Sequence, residues 1–319
     1  MSHGVRTRQH DVRGALLGPQ QLKVSLGDAV SAIGREGPIA LVTCGWQERE
    51  DQDEDLPSQL GRKTINLKLY ERGEQVLAAD KIFAKAHRAR QDQLRLIQEF
   101  YRLRLERTFD AALSIARKAA GTDLEADELR LSMEQVRRID QEHLERVSAL
   151  REAHELQMRP MERPVIAKHR EELRKILSSV GILAIAGGHV AVLMNRLRMF
   201  GVKDLLDDHA LVAWSGGAMV TGERVVLFHE SPPEGFGVSE VLEQGIGLHT
   251  GVLPLPNPRL RLKLDDPLRV GWLSKRYAPS KCVAMDQGDF VQFDGEKWFG
   301  EEGTVLLKTD GTVGTGWTQ

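Results

Sequence analysis

The sequence predicts an α/β fold: a mostly parallel sheet flanked by helices, with a long antiparallel helical hairpin inserted into it. Three observations predict it. Short continuous apolar runs at 39–44, 182–186 and 211–214 end at Gly45, Gly187 and Ser215-Gly216, as strands buried on both faces do. Segments with apolar residues at helical spacing alternate with those runs. Between them, residues 80–179 are dense in Arg, Glu, Gln and Leu, with no proline before Pro160.

The 319 residues are enough for a substantial core, and an apolar share of 41% against a charged share of 28% is ordinary for a globular protein. A formal net charge of −2 supplies no global basic field for nucleic acid or an anionic membrane, so neither is expected as a partner. The basic, polar start lacks the apolar core of a signal peptide, and no stretch approaches the ~20 apolar residues of a membrane span. Cys44 and Cys282 read as buried, reduced thiols. The expected setting is the cytoplasm.

In the first region, Leu26, Val30 and Ile33 have helical spacing, the run at 39–44 is a strand, and 48–55 is a polar, acidic loop. Residues 64–70 alternate as a second strand, and strand, helix and strand in close succession suggest parallel pairing.

The middle region carries two apolar stripes. One holds Leu94, Ile97, Tyr101, Leu105, Phe109, Ala112 and Ala116; the other holds Met133, Val136, Ile139, His143, Val147, Leu150 and His154. Gly121 can end the first helix in a left-handed cap, and Thr122 with Glu125 fits a capping box opening the second. Pro160 and Pro164 close that helix, and a third follows with Ile166, Leu173 and Leu177. The charge reads as a solvated helix surface. His143 and His154 read as structural, because no cysteine or carboxylate cluster accompanies them. The hairpin can serve as a dimerisation arm, a partner-binding arm or a lid.

In the third region two strand ends carry glycine-rich turns, Ala186-Gly187-Gly188-His189 and Trp214-Ser215-Gly216-Gly217-Ala218. Sites in an open α/β sheet form beyond the carboxyl ends of the strands, so both turns are expected to line one crevice. A serine between strand and helix can occupy a strained elbow, and Gly216 and Gly217 let that turn close. The N–H of Gly216 and one from Gly187 or Gly188 could form an oxyanion hole. On local pattern alone, a nucleophile on one side and a plain turn or anion-binding nest on the other are equally open. The tail segments at 282–286, 290–293 and 305–308 read as an antiparallel finish.

The order and spacing of Ile185-Ala186-Gly187-Gly188-His189, Ala213-Trp214-Ser215-Gly216-Gly217-Ala218 and Gly245-Ile246-Gly247-Leu248 resemble the peptidase E and cyanophycinase group of serine peptidases (peptidase family S51). The resemblance covers the first region and the third to about Asp289, and leaves the hairpin outside. It implies the class I glutamine amidotransferase-like fold with flavodoxin-like layering. It also implies Ser215 as nucleophile, Gly188 and Gly216 as oxyanion donors, and Glu230 as the acidic triad member. The histidine such a family carries near Pro256 and Asn257 is missing. His249 stands about seven residues earlier, ~23 Å along an extended strand. His189 and His229 are nearer candidates for the base.

The organisation expected is an α/β peptidase E-like core at 1–79 and 180–319 with the hairpin insertion at 80–179. Two functions are expected as alternatives. One is a degenerate, non-catalytic relative that uses its helical arm for assembly or partner binding, and is a homo-oligomer through that arm. The other is a serine hydrolase cleaving a small peptide or amide through an acyl-enzyme at Ser215 with a relocated histidine. Neither implies a metal or organic cofactor.

Overall fold

The computed structural model describes residues 13–118, 121–228, 237–300 and 304–315. It is a mixed α/β structure with a parallel-rich central sheet, helices on both faces and a long helical pair.

The first half of the chain alternates strand and helix: β1 (Gly14–Leu17), α1 (Leu26–Ile33), β2 (Ile39–Val42), α2 (Leu56–Leu60), β3 (Thr64–Asn66) and α3 (Leu69–Ala79). The helical pair follows as α4 (Lys81–Lys118) and α5 (Asp123–Met158), and α6 (Pro164–Leu177) returns to the sheet. Then come β4 (Ile182–Ile185), α7 (Val190–Met199), β5 (Ala210–Trp214) and α8 (Gly216–Thr221). The remainder is β6 (Arg224–Leu227), β7 (Glu240–Gln244), β8 (Val252–Pro256), α9 (Pro258–Arg261), α10 (Pro267–Tyr277), β9 (Lys281–Met285), β10 (Phe290–Phe293), β11 (Trp298–Gly300), β12 (Val305–Leu307) and β13 (Val313–Thr315).

The seven-stranded sheet has the order β11-β10-β1-β5-β4-β2-β3, in which β1, β5, β4, β2 and β3 run parallel and β10 and β11 antiparallel. Successive residues of the parallel strands face opposite layers, as a two-residue period demands. Ala15, Leu17, Ile39, Leu41, Ala184 and Val212 pack under α1 and α2, while Leu16, Ala40, Val42, Leu183, Ile185 and Ala213 pack under α3, α6 and α7. From β2 the chain first adds β3 on one side and then crosses to β4 on the other, so the order reverses between β2 and β4.

Two strand assignments differ from the sequence pattern. The second strand stops at Asn66 rather than at 70, because a helix starts at Leu69. The carboxylate of Glu50 accepts the N–H groups of Tyr70 and Glu71, each at 2.9 Å, and so takes up orphan donors at that helix's start. The tail strands do not pair in succession either. β9 joins β8 in parallel and β12 antiparallel in a four-stranded sheet, whereas β10 crosses to β1.

The capping box at Thr122 is present, with Glu125 closing on the Thr122 N–H at 2.9 Å. The helical pair does not stand clear of the body. Tyr101, Leu105, Phe109, Met133, Val136 and Ile139 share one core cluster with Val241, Leu253, Trp272 and Tyr277. At its centre Arg276, fully buried, grips Asp140 through Nε at 2.7 Å and Nη2 at 2.6 Å. The Tyr101 hydroxyl donates to the same carboxylate at 2.8 Å and accepts the Val241 N–H. His143 stacks on Tyr101 and bonds the Leu242 carbonyl, and His154 meets Arg90 at 2.9 Å, so both histidines are structural.

Candidate active site at the strand ends

Ser215 follows the last residue of β5 and precedes α8, with φ 52° and ψ −125°. This is a left-handed conformation that favours glycine, and a side chain holds it only where its surroundings fix it. They do. The Ser215 N–H donates to Leu17 of β1 at 3.0 Å, and its carbonyl accepts the Met219 N–H of α8. Strand on one side and helix on the other leave the residue no cheaper path.

The glycines around it are a matter of space. A Cβ on Gly187 would lie 2.9 Å from the Ser215 Cβ, 3.2 Å from its Oγ and 3.3 Å from the Gly216 nitrogen. One on Gly216 would lie 2.9 Å from the Gly188 carbonyl, and one on Gly217 would run into the Ile185 carbonyl. The turn after β4 and the turn after β5 therefore touch, as expected of two glycine corners on neighbouring strands. Among the described residues, the N–H groups of Gly187, Gly188 and Gly216 have no hydrogen-bond partner, and neither does the Ser215 hydroxyl.

A third strand end joins them. The Gly45 carbonyl after β2 accepts the His189 N–H at 2.8 Å, and a Cβ on Gly188 would collide with Gly45. Two residues on, Gln47 has φ 59° and ψ −125°, close to the values at Ser215. Its loop is held by Thr43 Oγ1 donating to the Glu50 carbonyl and by Asn66 Nδ2 donating to Asp53 at 3.0 Å. The acidic loop is thus mostly spent on the neighbouring 66–71 segment. Asp51 pairs with Lys68, and the Tyr70 hydroxyl donates to Glu48, which pushes the Tyr70 pKa up to about 12. Burial raises the Glu50 pKa, opposed by the two N–H groups its carboxylate accepts.

Of the candidate histidines, His189 and His249 lie at opposite ends of the elbow helix. His189 caps α7, its Nδ1 accepting the Val192 N–H at 3.4 Å. His249 is buried at the far end of the elbow helix, with its Nε2 3.0 Å from Thr221 Oγ1 and its ring edge-on to Trp298. Burial lowers its pKa to about 4. The segment at 245–248 binds the carbonyls of Val220, Thr221, Gly222 and Glu223, and so wraps that same far end. His229 and Glu230 lie outside the described residues.

Asn257, near which the resemblance calls for a histidine, follows β8 with φ 63°, its N–H on the Met285 carbonyl. Arg259 pairs with Asp286 at 2.7 Å, and the Asp286 carbonyl lies where a Cβ of Gly18, after β1, would stand. Arg261 stacks on Phe228, 5.8 Å from its ring centre. Sequence reasoning missed Gln47, Gly18 and Asp286 as neighbours of the strand ends. Only Gly45 carried a signal, as the glycine closing an apolar run.

Both thiols are buried, with pKa values raised by burial, that of Cys282 to about 12, so neither is a nucleophile. Among the described residues, no three His, Cys, Asp or Glu side chains gather as metal ligands, and no helix is long and apolar enough to cross a membrane.

No family model matches the sequence, and no curated protein matches it. Among solved structures, the crystal structure of a peptidase from an acI-B1 Actinobacterium is similar at 12% identity, over 94% of this chain and 93% of that chain, with a TM-score of 0.45. At that score the likeness carries no argument about the site.

Proposed function

We propose that the crevice beyond β1, β5 and β4 is an acyl-transfer site of the serine-hydrolase kind, in a peptidase E-like chain, acting on a short peptide or amide. The observation that carries the reading is the backbone of Ser215. A non-glycine residue held there costs ~1–3 kcal/mol, and such strain gathers where a side chain must be aimed at a ligand. The reading brings with it the class I glutamine amidotransferase-like core, with residues 80–179 as an insertion. Counting β2 as the first strand, the order β3-β2-β4-β5 is the 2-1-3-4 of flavodoxin-like sheets, whose ligands sit at the reversal between the first and third strands.

In this reading the Ser215 Oγ attacks the substrate carbonyl and its proton passes to a base. The developing oxyanion is met by the N–H of Gly216 and one from Gly187 or Gly188, with Gly217 keeping the corner tight. The amine leaves with that proton, and water then releases the acyl group. A neutral serine needs such a base within hydrogen-bond reach. His229, oriented by Glu230, is one candidate, and His189, whose Nδ1 is engaged and whose Nε2 is the nitrogen left over, is the other.

One observation favours a second reading. Among the described residues no imidazole bonds the Ser215 hydroxyl, and the sequence has no histidine near Pro256 and Asn257. In that reading the chain is a degenerate relative whose crevice binds an amide or peptide without cleaving it. A fluorophosphonate probe separates the two. Labelling of wild type that is lost in Ser215→Ala supports the hydrolase; absence of label from both proteins supports the binding role.

A further inference from the structure

Helix α4 has two apolar faces. Tyr101, Leu105 and Phe109 are buried against the body. At 100° per residue, the opposite side carries Leu96, Phe100 and Leu103 at positions i, i+4 and i+7, within about 40° of one line. They are 52%, 51% and 56% exposed, in a helix that otherwise meets solvent mainly with charged and small or polar residues, apart from Ile82 in its first turn, 73% exposed. Single exposed leucines need no explanation, but three in one stripe on a helix already anchored by its other face do.

The ends of the stripe carry opposite charges. Asp92 lies one turn before Leu96 and Arg107 one turn after Leu103, both exposed and on the same line. The pattern is its own complement. Leu96 and Leu103 are equidistant from the midpoint between Glu99 and Phe100, and so are Asp92 and Arg107. A second α4 laid antiparallel about that midpoint sets Leu96 against Leu103 twice and Asp92 against Arg107 twice, with the two Phe100 rings meeting at the axis. Such self-complementarity is what an isologous two-fold interface requires. Asp92 pairs within its own helix with Arg95 at 3.2 Å, an exposed contact of the sort that exchanges readily, and among the described residues Arg107 has no ion pair.

We infer that the outer face of α4 is a self-association surface and that its occupant is a second copy of this chain, docked antiparallel through Leu96, Phe100 and Leu103 with Asp92 and Arg107 in reciprocal pairs. The inference is independent of any chemistry at Ser215. Three side chains make a patch well under the ~800 Å² per partner of a standard interface, so the dimer is a reversible one.

Charge reversal tests it on the full chain, because α4 is anchored elsewhere and these side chains are exposed. By sedimentation equilibrium, wild type should pass from monomer to dimer as concentration rises. Phe100→Glu should weaken the dimer about a hundredfold by burying a charge at the axis. Asp92→Arg alone and Arg107→Asp alone should each weaken it about tenfold, since each sets like charges together twice. The two single variants mixed should recover a dimer, because every pair across the mixed interface is then opposite in sign, and the double variant should recover it as well. A chain that stays monomeric up to roughly 0.5 mM overturns the inference, as that concentration reaches even millimolar-range affinities. So does a dimer indifferent to Phe100→Glu. A mixture that fails to recover overturns the antiparallel register.

Discussion

The hairpin junction and the strand ends around Ser215 treat their polar groups in opposite ways. At the junction Arg276, Asp140, Tyr101 and the carbonyl of Ser239 close on one another with no exposed member. At the strand ends the half-buried Ser215 hydroxyl and the N–H groups of Gly187, Gly188 and Gly216, the second of them exposed, stay unpaired among the described residues. Saturated groups lock two segments together, whereas groups left unpaired at the surface are open to water or, on the proposed reading, to a ligand. On that reading, the difference marks where stability is kept and where a ligand would act.

The largest test breaks the junction. Arg276→Met leaves the Asp140 carboxylate buried without its counter-ion and should cost about 3–5 kcal/mol in urea unfolding. Arg276→Met with Asp140→Leu should recover most of that, since removing both charges removes the unpaired one. A loss below ~1 kcal/mol for the single variant would show that solvent reaches the pair and that the junction is not sealed.

Acid probes the same contrast more gently. Burial lowers His249 and His154 to about 4 and His87 to about 3, the last two beside Arg90 at the base of the hairpin. In the unfolded chain a histidine titrates near ~6.5. Between those values the unfolded chain binds more protons, so the stability from keeping these rings neutral is full above ~6.5 and is lost as pH falls toward the folded values. Each histidine contributes a slope of about 1.4 kcal/mol per pH unit, or about 3 kcal/mol for His249 across its window. His249→Gln should therefore flatten the unfolding free energy against pH by close to one proton between pH 6.5 and 4. An unchanged slope would mean that the ring is already hydrated.

Gly187→Ala tests the crevice without touching the junction. Its φ is not in the left-handed region, so the cost is steric, from a methyl 3.2 Å from the Ser215 Oγ in the space a substrate carbonyl would need. Under the hydrolase reading, labelling by a fluorophosphonate should slow about a hundredfold, as for other misplacements near 1 Å, while the fold persists. Labelling at the wild-type rate would place the reacting carbonyl on another side of Ser215.

What was legible in the sequence follows the range of the interactions. The apolar runs of the strands, the capping box at Thr122 and the glycines beside Ser215 are local patterns, and their letters show them. The early end of β3 was not legible, because it is set by Glu50, 20 residues from the Tyr70 N–H it accepts. Nor was the docking of the hairpin, which depends on Asp140 meeting Arg276 across 136 residues. Two arginine-rich helices look alike whether they project into water or seal a core; only the partner distinguishes them. At the site, glycines made the Ser215 turn visible, while Gln47 adopts nearly the same backbone with no glycine to announce it.

That pair gives the smallest and most discriminating effect. Ser215 and Gln47 differ by only 7° in φ, from 52° to 59°, and share ψ at −125°, on strands that flank β4. Glycine at either position should relieve strain of ~1–3 kcal/mol while adding the roughly 0.5–1 kcal/mol entropy cost of a glycine, for a net gain of about 1 kcal/mol. Thermal unfolding should then rise by a degree or two for both variants. Only Ser215→Gly should abolish labelling, because only it removes the hydroxyl. If Gln47→Gly gains stability and also slows labelling, the loop after β2 is part of the site, and the strain there serves the crevice rather than the fold. If Gln47→Gly is instead destabilised, the clamp formed by Thr43, Glu50 and Asn66 relies on that side chain, and Gln47 belongs with the saturated groups of the junction.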